Sequence, residues 1–371
     1  MRIALVAGLL LPFSCHSFAL WNGPLSPSST SCASSSSATD TDTSLDATTV
    51  NGEECVKTVD VLSLESIRST LIRQEETIIF ALIERAQFRR NAIAYKRGGF
   101  GDLGTPLGSK ENDNKELCLF EYMMVGTEVL HSSVRRYTSP EEHPFFPDRL
   151  HLKQMDAMPQ LDYPNLLDET AANVNFNPIL LEKYIHVILP AITKDGDDEQ
   201  HGSSILADIA LLQALSKRVH YGKFVAESKY RSDPQEYQQL VEAGDADGVM
   251  RLLTNEKVEQ KVLRRARLKA ATYGREPLLA ELPPMSEKMG SHTTSVVAAA
   301  AASAVVAAVE ALEDEPGQKG KVDPAVIEAV YKKIIIPMTK DVEVAYLFRR
   351  CGREPPADYA PDRMSRDVTE L

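Results

Sequence analysis

The sequence predicts an all-α fold, and three observations carry that expectation. From about residue 60 onward, apolar residues recur every three or four positions, the period of one helix face. Alternating apolar and polar runs of the strand type are nearly absent. Aromatic residues make up only 6% of a chain that is 43% hydrophobic, so Leu, Ile, Val and Ala must build the core, as helix packing allows. A length of 371 residues suits two ordinary domains or one large one.

Taken in order, the N-terminus reads as an address. Met1 and Arg2 precede an apolar stretch at 3–11, too short to span a membrane but suited to a signal peptide. Small and polar residues to Ser17 place a cleavage before Phe18, giving a signal peptide at 1–17. Residues 18–58 follow as a disordered, transit-like segment, because 26–49 is dense in Ser, Thr and Ala and lacks Lys and Arg. The pair resembles the two-part presequence of algae whose plastid lies inside extra membranes. Asp40 and Asp42 depart from that pattern. A plastid address is expected, with secretion, or the cytoplasm if the presequence goes unused, as alternatives.

Ile67, Leu71, Ile78 and Leu82 start the helical part, whose pattern runs on to Tyr95. A second helix is expected over 112–137, on Leu117, Phe120, Val125, Val129 and Val134. Pro and aromatic residues make 138–164 a long ordered loop. Further helices are expected at 177–192, 203–230, 234–243, 246–254, 256–273 and 324–350. Residues 276–320 hold an Ala/Val run bracketed by Pro283-Pro284 and Pro316-Gly317, and read as a poorly ordered insertion. One domain is therefore expected over 59–355, with a tail at 356–371. No internal repeat is apparent, and no later apolar run approaches the roughly 20 residues of a spanning helix.

Charge and cysteine content exclude several function classes. With 41 basic and 53 acidic residues, the net charge of −12 disfavours nucleic acid and anionic membranes as partners. Five cysteines, none paired at a metal-ligand spacing, disfavour a disulfide scaffold or zinc site. Gly-rich phosphate loops, HExxH, GxSxG and CxxC are absent.

The polar residues that interrupt apolar faces are the informative ones. One stripe runs Leu211, Leu215, Arg218, Gly222, Val225, Lys229, with the two cations three turns apart on one side. Another runs Ile336, Thr339, Glu343, Tyr346. Asn255 and Glu259 share a face one turn apart, and Arg68 lies between Ile67 and Leu71. Singly, each reads as a snorkelling head group or a buried ion pair. Together they describe a charged cavity within a helical bundle, suited to a dianionic small molecule.

At these residues the sequence resembles the all-helical, allosterically regulated chorismate mutases of eukaryotes. The matching text includes Ser63-Leu-Glu-Ser-Ile-Arg68, Leu71-Ile-Arg-Gln-Glu75, Ile78-Ile-Phe80 and Ile83-Glu-Arg85. It continues through Ser139-Pro-Glu-Glu-His-Pro-Phe-Phe-Pro-Asp148 and Leu215-Ser-Lys-Arg-Val-His-Tyr-Gly-Lys-Phe-Val-Ala-Glu-Ser-Lys229. Ile336-Pro-Met-Thr-Lys340, Val342-Glu-Val344, Tyr346-Leu347 and Arg349-Arg350 close it. The likeness covers about 60–350 apart from the insertion.

The resemblance implies a multi-helix bundle, a homodimer, and conversion of chorismate to prephenate without cofactor or metal. It gives Arg68 and Arg218 the two substrate carboxylates, Lys229 and Glu343 the ether oxygen, Glu259 beside Asn255 the ring hydroxyl, and Thr339 the carboxylate site. It also implies that an aromatic amino acid, tryptophan or tyrosine, binds at the dimer interface. Arg135 and Arg136 would meet it, with Gly202-Ser203 read as a turn ahead of the Arg218 helix. Leu206 stands where fungal relatives have Thr, and Asp323 occupies a hinge that is Thr in some relatives. Two rival expectations remain: a helical regulatory module that has lost catalysis, and a mutase secreted from its cell.

Overall fold

A computed structural model describes residues 61–109, 116–150, 166–273 and 321–361. The presequence, the 276–320 insertion and the end of the tail fall outside them. The described residues form helices and no strand.

Helix α1 (Leu64–Arg85) begins where the Ser63 hydroxyl accepts from Ser66 N at 3.2 Å. It buries Ile67, Ile78, Ile79 and Leu82, the stripe seen in the sequence. The helical pattern expected to Tyr95 stops at Arg85. The chain then turns through a left-handed Asn91 into a short 3-10 helix, Ala92–Tyr95. Helix α2 (Leu119–Ser133) starts later and ends earlier than the pattern over 112–137 suggests. Cys118 and Glu121 close a reciprocal cap that fixes its start, and Arg135 at φ 62° follows its end. Short 3-10 turns, Arg136–Thr138 and Pro147–Arg149, lie in the expected loop, of which residues 151–165 are outside the described part.

Helices α3 (Asn177–Lys183) and α4 (Leu189–Ile192) are joined by a π turn, Tyr184–Ile188. The same device joins α10 (Pro324–Val330) to α11 (Ile336–Arg350) through Tyr331–Ile335. Each π turn is followed at one residue's remove by a proline, Pro190 or Pro337. A proline ring clashes with the carbonyl four residues back and offers no N–H, so a widened turn relieves it. Among the described residues this Tyr-to-Pro arrangement occurs twice, a recurrence too short to stand out as an internal repeat.

The helix expected over 203–230 is two, α5 (His201–His220) and α6 (Gly222–Ser232), meeting at Tyr221. Gly222 lies where α11 passes: a Cβ there would stand 2.8 Å from the Thr339 carbonyl oxygen. Helices α7 (Pro234–Ala243), α8 (Ala246–Leu253) and α9 (Glu256–Tyr273) fall at or within one residue of expectation.

Two apolar cores result. One gathers α1, α2, α3, α5, α9 and α10; the other gathers α6, α7, α8 and the end of α11. Helix α11 threads both, giving Met338 and Val342 to the first and Val344 and Leu347 to the second. Buried polar clamps fix the helices around it. Asp208 accepts from Arg85 Nε and Tyr184 OH at 2.5 Å each, and from Tyr95 OH. Glu227 on α6 accepts from Tyr346 OH at 2.7 Å and Arg350 Nε at 2.6 Å, both from the α11 element. Among the described residues, no helix is long and apolar enough to cross a membrane.

Candidate active site

Where the two cores meet, a cavity of about 430 Å³ opens between α1, α5, α6, α7, α9 and α11. Arg68, Arg218, Lys229, Asn255, Glu259, Thr339 and Glu343 all line it, although they come from five helices and their caps. The kink at Tyr221 leaves Arg218 and Lys229 on the same wall.

Arg68 is exposed at the mouth, one residue from buried Ile67. Arg218 is 5% exposed; its Nη1 donates to Thr339 Oγ1 at 3.3 Å, and its Nε has no partner among the described residues. Burial lowers its pKa, the direction that a guanidinium stripped of water must take. Thr339 spends its own proton on the Ile335 carbonyl at 2.6 Å, so its oxygen faces Arg218 as acceptor. Lys229 Nζ donates to Leu253 O at 2.5 Å and stands 3.4 Å from Glu343 Oε2. Glu343 is buried to 6% exposure. Burial raises its pKa, against the opposing pull of Lys229, Arg218 and Lys340. Asn255 Oδ1 accepts from Val258 N at 3.2 Å and so starts α9, which presents Glu259 one turn on.

The pattern of the sequence left three residues in or behind the cavity without a role. Lys340, quoted only as part of a motif, pairs with Glu259 at 2.6 Å. Behind Arg218, Glu75 is 1% exposed and held by Arg265 through Nε and Nη2 at 2.6 and 2.5 Å. Its carboxylate supports the Arg218 charge at a distance. The signal was present, since Glu75 falls four after Leu71 and three before Ile78, within the apolar stripe itself. Tyr237 on α7 also lines the cavity and carried no signal, because tyrosine on a helix face reads as core.

The residues expected at an effector site are not gathered within one chain. Arg136 donates through Nε and Nη2 to Glu142 Oε2, both at 3.1 Å, and through Nη1 to Gln213 Oε1 at 3.1 Å. Gly202 and Ser203, exposed, form the first turn of α5 rather than a turn ahead of it. Gln213 is eleven residues further along, roughly 16 Å at a helical rise of 1.5 Å per residue. Leu206 beside them is 59% exposed. Asp323 caps α10, accepting from Ala325 N at 2.8 Å.

No group of three or more His, Cys, Asp and Glu among the described residues could hold a metal ion. The arrangement offers fixed cations for carboxylates and a buried carboxyl beside an ammonium, and it can orient and polarise an anionic molecule.

Comparison with known proteins gives one answer. A family model described as chorismate mutase type II matches residues 206–344. "Chorismate mutase 1, chloroplastic" of Arabidopsis thaliana is 36% identical over 82% of this chain and 79% of its own length. A solved Candida albicans chorismate mutase in complex with L-Trp aligns with a TM-score of 0.61 and 34% identity, over 80% of this chain and 94% of the other. AtCM1 with tyrosine bound in its allosteric site aligns at 0.60 and 35%, over 79% and 98%.

Proposed function

Because the chain belongs to the type II chorismate mutases, we propose that the cavity between α1, α5, α6, α7, α9 and α11 is where it rearranges chorismate to prephenate. The protein is an isomerase, and the reaction breaks a C–O bond as a C–C bond forms within one molecule. What the site must supply is orientation and stabilisation of charge growing on the ether oxygen.

In this reading Arg218, from the buried wall, and Arg68, at the mouth, hold the two carboxylates and fold the enolpyruvyl arm over the ring. Guanidiniums suit that task because each grips a carboxylate with two parallel donors. Thr339 aims Arg218. Lys229 and a protonated Glu343 face the ether oxygen, while Glu259 beside Asn255 takes the ring hydroxyl. The observation that carries the reading is that all seven residues, scattered from 68 to 343, line one cavity.

Regulation by aromatic amino acids follows from the relatives that hold tryptophan or tyrosine. Arg135 and Arg136 of one copy, with Gly202 and Ser203 of another, would form that site in a homodimer, which is why one chain keeps them apart. The chloroplastic relative supports a plastid address through a signal-plus-transit presequence at 1–58, against secretion.

The test is chorismate consumption by protein starting near Val56, followed as prephenate appearing, with and without tryptophan or tyrosine. Steady prephenate formation is expected. No product under any effector condition would favour the rival, a regulatory module without catalysis.

A further inference from the structure

Tyr237 lines the cavity from α7, and nothing so far uses it. The residue is 3% exposed and its ring packs against Tyr230. Its hydroxyl donates to no described group, yet it is not among the polar atoms sealed in the protein without a partner. What little of the side chain is open therefore faces the cavity. A buried phenol seldom goes without a hydrogen bond, so an unpaired one on a cavity wall points to an acceptor on the occupant.

The charges nearby say which acceptor. Glu343, Glu236 and Asp233 are the groups whose charge bears on Tyr237, and all three line the cavity. The charged acids of this wall, Glu236 and Asp233, oppose a full substrate carboxylate there, and Arg68 and Arg218 serve the carboxylates elsewhere. An uncharged substrate oxygen remains, and the one facing Glu343 is the ether. Lys229 has two of its three protons engaged, with Leu253 O and Glu343, so this wall has room for another donor. An ether oxygen gaining charge as its bond lengthens accepts such a donor more strongly than before.

On the reading that chorismate occupies the cavity, we propose that Tyr237 is a further catalytic residue, its phenol donating a hydrogen bond to the ether oxygen beside Glu343 and Lys229. The contact strengthens in the transition state, so it acts on kcat more than on KM. Burial pushes the Tyr237 pKa up to about 12, which keeps the proton in place across the working pH range.

Steady-state kinetics of the full chain and its Tyr237→Phe variant, across pH, decide the matter. The variant should lose roughly a hundredfold in kcat, the lower end for removing one oxyanion donor. KM should change by less than about threefold, as expected for a contact made mainly in the transition state. The loss should be the same at every pH, and the melting temperature unchanged, since the hydroxyl has no protein partner to lose. An unchanged kcat overturns the proposal. So does a raised KM at constant kcat, which would put a carboxylate on Tyr237, or a fall in melting temperature that accounts for the lost activity. If wild-type protein makes no prephenate, the function itself fails; if it does and the variant matches it, only this inference fails.

Discussion

Glu343 is the residue whose protonation the account depends on. An ionised carboxylate would repel the charge growing on the ether oxygen, and burial favours the neutral acid against the pull of Lys229. A raised pKa means the acid persists to higher pH, and activity falls as pH rises through that value. Glu343→Gln keeps a donor that does not titrate, so it should remain active and flatten the alkaline limb of the pH–rate profile. Glu343→Ala should be slow at every pH. A Gln variant as inactive as Ala throughout would show that Glu343 works as an anion. Glu343 was legible in the sequence because charge in an apolar stripe is conspicuous. Glu75 broke its stripe in the same way and was passed over, as the residues around it looked complete without it. Tyr237 could not be read at all: a core tyrosine and a cavity tyrosine have the same helical spacing, and only the missing partner tells them apart.

Helices themselves were the easiest features to read, since α7 and α9 match their apolar periods residue for residue. Joints were harder. Buried apolar residues continue through both π turns, Tyr184, Val187 and Ile188 in one and Tyr331, Ile334 and Ile335 in the other, so no gap in the pattern marks the joint. Gly222 shows what such a joint is for. With α11 against it, Gly222→Ala would place a methyl 2.8 Å from the Thr339 carbonyl oxygen and 3.3 Å from Glu343 Cγ. Alanine gains up to about 1 kcal/mol in helix propensity. Forcing two packed helices apart costs roughly 1–3 kcal/mol. The variant should therefore melt only about 2 °C lower, since about 1 kcal/mol shifts a large domain by roughly 2–4 °C or less. It should also lose kcat, because α6 carries Lys229 and α11 carries Glu343. Thermal melting and kinetics on one preparation check both; a variant as stable and active as wild type would mean the crossing is loose.

At the scale of the molecule the helical fold class was legible, and so was the grouping of the seven residues around one cavity, because charge placed on apolar faces marks a cavity before any fold is known. The residues read for an effector do not meet within the chain: Arg136 reaches Gln213, eleven residues along α5 from Gly202, and helical spacing says nothing of how they would combine. Deleting residues 283–317 tests how far catalysis is separate from regulation. None of the seven residues read for catalysis lies there, so kcat should hold, while the response to tryptophan or tyrosine should change, because Asp323 and α10 follow in the chain. Lost turnover in a folded deletion protein would place part of the catalytic apparatus in the insertion.

The central claim is that chemistry happens in the cavity Arg218 helps to line, and Arg218→Ala tests it most directly. Arg218 is buried and, among the described residues, has one hydrogen bond, to Thr339, and leaves its Nε unpartnered, so its value lies in what enters the cavity. Alanine favours helix at least as well as arginine. Turnover of chorismate by the variant should fall by two or more orders of magnitude, about the cost of removing a buried charge partner, while the far-ultraviolet circular dichroism matches wild type. Wild-type turnover, or a loss of helical signal in proportion to the lost activity, would contradict the account.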